Sequence, residues 1–298
     1  MNSPTEIAQL CILYGVNKVK RPKLKTFILS IIGGCFLGSG ALLSSICSYN
    51  YYGGQAQFYE GIVFPIGFVF VYCAGAELFT VNSLLIIPFF TKNITLFEML
   101  LSWLIVFIGN FIGAILLSLL VVYGCHIPNM FEVNLAQIVI TTGIEKCSLG
   151  FGEALIKGLL CNFYNCLGIW VSLGGKEMRS VILGLWTPIF LFVACRLEHC
   201  VANIYYITAG LFASYEYGLD NTILNWGRLF YKNLIPVTIG NMLGGVGLVG
   251  FAYSYIYLTE EEQTIPKINK KNCQNINESS SQGNIHNDLC TLNSINNS

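Results

Sequence analysis

Charge is what this chain has least of: 11% of its 298 residues are Asp, Glu, Lys or Arg, against roughly 25% in an average soluble domain. A surface that faces water is built from mixed charge, so a mean hydropathy of +0.61 over this length excludes a soluble globular protein. Acidic and basic residues cancel, 16 against 16, which excludes the one-signed field of a nucleic-acid or polyanion binder. The opening residues lack a basic stretch followed by an apolar core, and the first apolar run starts only near Phe27, so no cleaved signal peptide is expected. No Ser-His-Asp arrangement, phosphate-binding glycine loop or dinucleotide fingerprint stands in a plausible context, so neither an enzyme nor a cofactor is expected. Histidine is scarce too: His126 and His286 fall in polar segments, and His199 alone lies in an apolar run.

What is present is long apolar sequence. A spanning helix needs about 20 mostly apolar residues, and six stretches qualify, near 24–46, 61–90, 96–123, 151–173, 181–212 and 229–258. The expected architecture is an all-α integral membrane protein with an N-terminal segment 1–23, a transmembrane domain 24–258 and a tail 259–298. Lysine and arginine collect on one side, at Lys18, Lys20, Arg21, Lys23, Lys25, Lys92, Lys176 and Arg179. Cytoplasmic loops retain positive charge, so both termini are expected in the cytoplasm. The loops on the other side, one of them around Asp220, carry little or mixed charge. The tail is rich in Asn, Ser and Lys and poor in apolar surface, hence expected to be disordered. Of the 12 cysteines, Cys35, Cys73, Cys161, Cys166, Cys195 and Cys200 lie in apolar runs and act as small apolar residues, while Cys47 and Cys125 stand at the outer ends of two spans.

The third and sixth spans share a pattern, Ile108-Gly109-Asn110-Phe111-Ile112-Gly113 and Ile239-Gly240-Asn241-Met242-Leu243-Gly244. A duplicated unit with three spans enters the membrane in opposite senses, giving an inverted repeat with halves near 24–124 and 150–258. Each half also carries an ionisable interruption in its second span: Glu77, Thr80 and Asn82 in one, Arg196, Glu198, His199 and Asn203 in the other. Such groups are costly at mid-bilayer and face a cavity or the protein interior. Irregular backbone is tolerated at that depth only where protein or a wet cavity satisfies it. Spans two and five are therefore expected to be broken helices whose half-helix N-termini favour an anion between them. Stapling of helices explains Glu198, with Lys146, Asn162 and Asn203 as candidate partners. His199 differs, because it lies at one expected break opposite the other.

These residues resemble the formate/nitrite transporter family from about Lys25 to Leu258. The family's A-D/E-L-F-T signature is matched at Ala76 to Thr80, its E-H-x-x-A-N signature at Glu198 to Asn203, and its N-L-I-P-V-T-I-G-N segment at Asn233 to Asn241. The resemblance implies a homopentamer of aquaporin-like six-helix bundles, each with its own pore. It implies that His199 is the central pore histidine, flanked by Thr80 and Asn241, with Leu78 and Phe79 at the cytoplasmic constriction and Phe64, Phe68 and Phe192 at the outer one. Glu198, Lys146, Asn162 and Asn203 match the family's buried polar cluster. A histidine between two apolar constrictions can donate a hydrogen bond or a proton to a weak-acid anion, so that a neutral acid crosses the dry ring. The implied cargo is formate, lactate, nitrite or hydrosulfide, with short monocarboxylates favoured and a proton as co-substrate, at a plasma membrane. Arg196 departs from the family's small residue there; it is placed to pair with Glu198 or Glu77 or to add charge beside the pore. Lys157 is a second departure, and Val81, where a small residue is usual, a third.

Two other classes compete. An aquaporin-like pore for neutral solutes would share the bundle, but the paired N-P-A turns are absent. A metal or redox site on Cys195, His199 and Cys200 would need a third or fourth ligand that no other span supplies.

Overall fold

A computed structural model describes residues 1–131, 134–219 and 223–258. The tail from 259 onward and Asp220 lie outside the described residues. Among the described residues, ten helical runs follow one another, besides a single turn at Ile127–Asn129. The first five are α1 (Pro4–Lys20), α2 (Lys23–Cys47), α3 (Gly53–Cys73), α4 (Val81–Phe90) and α5 (Leu96–Gly124). The second five are α6 (Asn134–Ser148), α7 (Phe151–Gly174), α8 (Met178–Ala194), α9 (Cys200–Glu216) and α10 (Trp226–Tyr257). Among the described residues, α2, α3, α5, α7 and α10 are long and apolar enough to cross a membrane, while α4 and α8 are apolar but shorter.

The order repeats. In each half the second helix packs most closely on the fifth, α2 on α5 and α7 on α10. Glycine makes that approach possible: a Cβ on Gly113 would sit 2.0 Å from the Ile31 carbonyl oxygen, and one on Gly244 would sit 2.0 Å from that of Leu159. The glycines of the I-G-N-x-x-G pattern are thus the points where two backbones touch, the small-residue packing that lipid-embedded helices use. Along α5 the opposite face, Leu100, Leu104, Ile108, Ile112, Leu116 and Leu120, is exposed and apolar at four-residue spacing, a surface that belongs in lipid or against another apolar face.

Two helices lie where sequence reading left segments without structure. Residues 1–23, expected as a plain N-terminal segment, contain α1. Its start is set by a capping box, Ser3 accepting from Glu6 N–H while the Glu6 carboxylate accepts from Ser3 N–H. That carboxyl is held below the usual carboxylate range by those hydrogen bonds. One face of α1, with Ile7, Ala8, Cys11, Ile12, Val16 and Val19, is buried. The chain start is tied to the end of α7 through Asn2, whose N–H and side-chain amide donate to Gly174 and Leu173 at 2.9 and 2.8 Å. The segment between spans three and four, expected as a long loop, contains α6, which packs on α9 as α1 packs on α4. The repeat therefore comprises a short helix as well as three spans. Cys47 and Cys125 are free thiols.

Candidate functional site

Between α3 and α4, from Cys73 to Val81, and between α8 and α9, from Ala194 to Cys200, the backbone leaves helical geometry, and the two segments are built alike. Gly75 has φ +75° and Arg196 φ +51°, so each chain turns through the left-handed region two residues before a glutamate. Gly75 suits that region; Arg196 occupies it with a side chain. Beyond the turns, Glu77 N–H reaches the Leu29 carbonyl of α2 at 3.2 Å and Glu198 N–H the Lys157 carbonyl of α7 at 3.4 Å.

The asparagine of each I-G-N-x-x-G pattern then holds the irregular backbone. Asn110 Oδ1 accepts from Phe79 N–H at 2.8 Å, while its Nδ2 donates to the Glu77 and Ser30 carbonyls at 2.8 and 2.7 Å. Asn241 Oδ1 accepts from Cys200 N–H at 2.9 Å, and its Nδ2 donates to the Glu198 and Gly158 carbonyls at 2.9 and 2.7 Å. Both asparagines are fully buried. Backbone groups that leave a helix in an apolar interior need partners, and one amide supplies three.

Each glutamate is met by a lysine from the short helix of its own half. Lys18 of α1 lies 2.7 Å from Glu77 and also donates to Asn82 Oδ1 at 2.7 Å; Arg21 pairs with the other Glu77 oxygen. Lys146 of α6 lies 2.7 Å from Glu198, which accepts further from Asn203 at 2.6 Å. Asn233 links this cluster, accepting from Asn203 at 2.9 Å and donating to the Lys146 carbonyl at 2.9 Å. Asn162, expected beside Glu198, sits elsewhere: its Nδ2 donates to the carbonyls of Thr80 and Asn241 at 3.2 and 2.7 Å and to Ser83 Oγ at 3.2 Å. It connects the end of the first break to α10 rather than the second glutamate to anything.

The halves differ at the residue after the glutamate, Leu78 in one and His199 in the other. His199 is 1% exposed. It caps α9, its Nδ1 accepting from Ala202 N–H at 3.3 Å. With Nδ1 used as an acceptor, the neutral ring carries its hydrogen on Nε2, and that nitrogen lies 2.9 Å from Thr80 Oγ1. Phe192 stacks beside the imidazole, centroids 6.1 Å apart at 18°, and Phe64 meets Phe192 edge-on at 6.0 Å. Phe68, one turn along α3, and Leu78 are fully buried, and Phe79 packs edge-on against Phe107 at 5.0 Å. A cavity of about 70 Å³ reaches inward from the ends of α2, α3 and α6 to Phe64, Phe192 and His199. Thr80, Leu78, Phe79 and Asn241 do not line it. The imidazole thus lies at the inner end of a recess whose lining is polar and charged toward α2 and α6, with Phe64 and Phe192 beside the ring. That arrangement can desolvate a small solute and offer it one hydrogen.

Arg196 pairs with neither Glu198 nor Glu77. Those carboxylates are already occupied by Lys146 and by Lys18 with Arg21, and Arg196 meets Glu145 of α6 at 3.2 Å at the cavity mouth. Lys157 pairs with Glu153 one turn away at 2.7 Å. No group of three or more metal-ligating His, Cys, Asp or Glu side chains occurs among the described residues. Sequence reading did not single out Lys18, Arg21, Asn110, Ser83 or Glu145 as site residues. The signal for Asn110 was present in the repeated I-G-N pattern, whereas Lys18 and Glu145 lie in helices that were not expected.

A profile of the family described as "Formate/nitrite transporter" matches residues 5–255. The chain is 34% identical over 260 residues to "Formate channel BtFdhC" of Bacillus thuringiensis, covering 86% of this chain and 96% of that one. It is also 34% identical over 275 residues to "Formate channel FocA" of Escherichia coli K12, covering 87% and 95%. A solved structure titled "Pentameric formate channel with formate bound" superimposes with a TM-score of 0.73 at 26% identity, covering 80% of this chain and 99% of that one.

Proposed function

Since the chain belongs to the formate/nitrite transporter family and is an integral membrane transporter rather than an enzyme, we propose that it carries small monovalent weak-acid anions across the membrane, past His199, together with a proton. Formate, lactate and nitrite are the cargo class, with short monocarboxylates preferred. The observation that carries this reading is the buried imidazole whose Nε2 points at Thr80 while Phe64 and Phe192 wall the cavity above it. An anion stripped of water among aromatic rings loses several kcal/mol of hydration. Hydrogen donation from the imidazole offsets part of that loss, and transfer of a proton to the anion removes the charge. Thr80, through its hydroxyl, is the second partner of the same hydrogen. Asn241 serves by fixing the backbone that presents His199, and Leu78 and Phe79 form the apolar ring on the other side.

In this reading the membrane is crossed six times, by α2, α3 with α4, α5, α7, α8 with α9, and α10, so that both interruptions meet near the midplane. Cytoplasmic termini are supported by the exposed Lys20, Lys23 and Lys25 at the α1–α2 turn through the positive-inside rule, and a plasma membrane is the proposed location. Likeness to a pentameric formate channel supports a homopentamer with one pore per protomer. A neutral-solute pore is the competing reading. Purified protein in liposomes should take up radiolabelled formate or lactate, faster as external pH falls, and should not accelerate glycerol-driven swelling. Swelling without acid uptake would reverse the assignment.

A further inference from the structure

The two interruptions are alike in backbone and unlike in charge. Around the first stand two cations, Lys18 and Arg21, against one carboxylate, Glu77, and the exposed Lys20, Lys23 and Lys25 extend the same sign. Around the second stand two cations against three carboxylates. Lys146 is held by Glu198 and Arg196 by Glu145, which leaves Glu60 of α3. This half-buried glutamate lines the cavity that leads to His199. The Ser48 hydroxyl hydrogen-bonds to it, with Arg196, Lys146 and Glu145 near enough to act on it through space. It belongs to no ion pair among the described residues.

Paired charges act on an approaching ion as dipoles, whose field falls off faster than that of a single charge. The uncompensated carboxylate therefore sets the sign of the potential at this mouth. We propose that Glu60 is a specificity-determining residue that makes the mouth on the Arg196 side repel anions, so that the pore binds its anionic cargo more weakly from that side than from the α1 side. This rests on the transport reading and adds a sidedness to it. It changes the apparent affinity on each side and leaves the equilibrium distribution of cargo untouched. The effect is strongest on dianions, weaker on monoanions, and absent for a neutral acid.

Acid weakens the barrier, because protonation of Glu60 removes the excess charge. The other charged or titratable groups facing this cavity are Glu145 and Lys146 from α6, Arg196, Glu198 and His199 from the second interruption, and Tyr206 from α9; α2 presents Ser44, Ser45 and Ser48.

The test is formate influx into cells expressing the full chain, measured from the Glu60 face at low ionic strength and pH 7.5. Glu60→Gln should lower the influx KM about five- to tenfold with the maximal rate unchanged, as expected for removing one unit charge from a semi-aqueous mouth. Arg196→Gly, which keeps a residue at ease with φ +51°, should raise KM, because Glu145 loses its partner. Both differences should shrink as added salt screens the mouth, and the Glu60→Gln difference should shrink as Glu60 becomes protonated in acid. Lys20→Gln, at the far mouth, should leave influx KM unchanged. An influx KM in Glu60→Gln equal to wild type, or Arg196→Gly shifting KM in the same direction as Glu60→Gln, overturns the proposal. Wild-type cells with no anion influx above background overturn the transport reading itself, and the sidedness falls with it.

Discussion

Replacing Asn241 tests the structural arrangement on which the pore depends. Its side chain satisfies the Cys200 N–H, which has no turn of helix behind it, and the Glu198 and Gly158 carbonyls. In Asn241→Ala these groups are left in a fully buried site. An orphaned buried donor costs about 1–3 kcal/mol and an orphaned carbonyl somewhat less, and Gly158 lies within helix α7 where its oxygen is available to the helix ladder. The expected loss is therefore about 3–5 kcal/mol. Asn241→Asp is the sharper perturbation, because it has almost the same shape. It keeps an acceptor for Cys200 N–H but turns an oxygen toward two carbonyl oxygens, so it should be at least as damaging as alanine. Asn110→Ala should cost a similar amount through Phe79, Glu77 and Ser30. Equilibrium unfolding of the purified protein in mixed detergent micelles, followed by tryptophan fluorescence, reads these differences. An Asn241→Asp variant as stable as wild type, or an alanine variant destabilised by less than about 1 kcal/mol, would refute the idea that this amide holds the interruption.

Three further outcomes follow from the geometry. Lys146→Met should destabilise the protein by about 3–5 kcal/mol by stranding Glu198, and a second change, Glu198→Gln, should recover much of the loss in the same unfolding assay. Gly244→Ala should abolish accumulation of folded protein, since its Cβ would lie 2.0 Å from the Leu159 carbonyl oxygen, whereas Gly247→Ala, with nothing within 4 Å, should be tolerated; detergent-extracted yield and melting temperature compare them. The Glu6 carboxyl titrates below its ordinary range, so its capping contribution is complete above the normal carboxylate pKa of about 4.3 and is lost as pH falls through the lowered value. Amide exchange in the first turn of α1, corrected for intrinsic rates, should rise on acidification below that range, and Glu6→Gln should remove the pH dependence.

Much of the fold could be read because lipid imposes length and apolarity on whatever crosses it. The boundaries of α2, α5, α7 and α10 fall close to the apolar runs, and the repeated I-G-N pattern marks both close helix contacts. The two short helices were not legible. In α1 apolar residues are mixed with Lys18 and Lys20 at the end and polar residues at the start, and α6 carries Gln137, Thr141, Thr142, Glu145 and Lys146, so neither resembles a span. Each buries only one face and gains its stability from packing. The partner of Glu77 was missed for the same reason, since Lys18 was counted as a loop charge. For Arg196 the sequence left open pairing with Glu198 or Glu77 or a charge beside the pore; it meets Glu145 in the cavity lining, because Lys146 and Asn203 already occupy Glu198, which a linear sequence does not show. Its unusual backbone was legible in outline, as a side chain standing where the family has a small residue. Asn162 shows the limit of matching residues to a family pattern: its position was named, but its partners, Thr80 of the first interruption, Ser83 of α4 and Asn241 of α10, are brought together only by folding.

The claim at the centre of this account is that one imidazole hydrogen makes a weak-acid anion passable. Uptake of radiolabelled formate against external pH, in wild type and in His199→Asn, tests it directly. Asparagine can cap α9 in place of the ring and can still donate a hydrogen bond, but it does not carry a proton. The account predicts that wild-type uptake rises steeply on acidification, while the variant assembles normally and its uptake stays flat. Equal acid stimulation in both would contradict it.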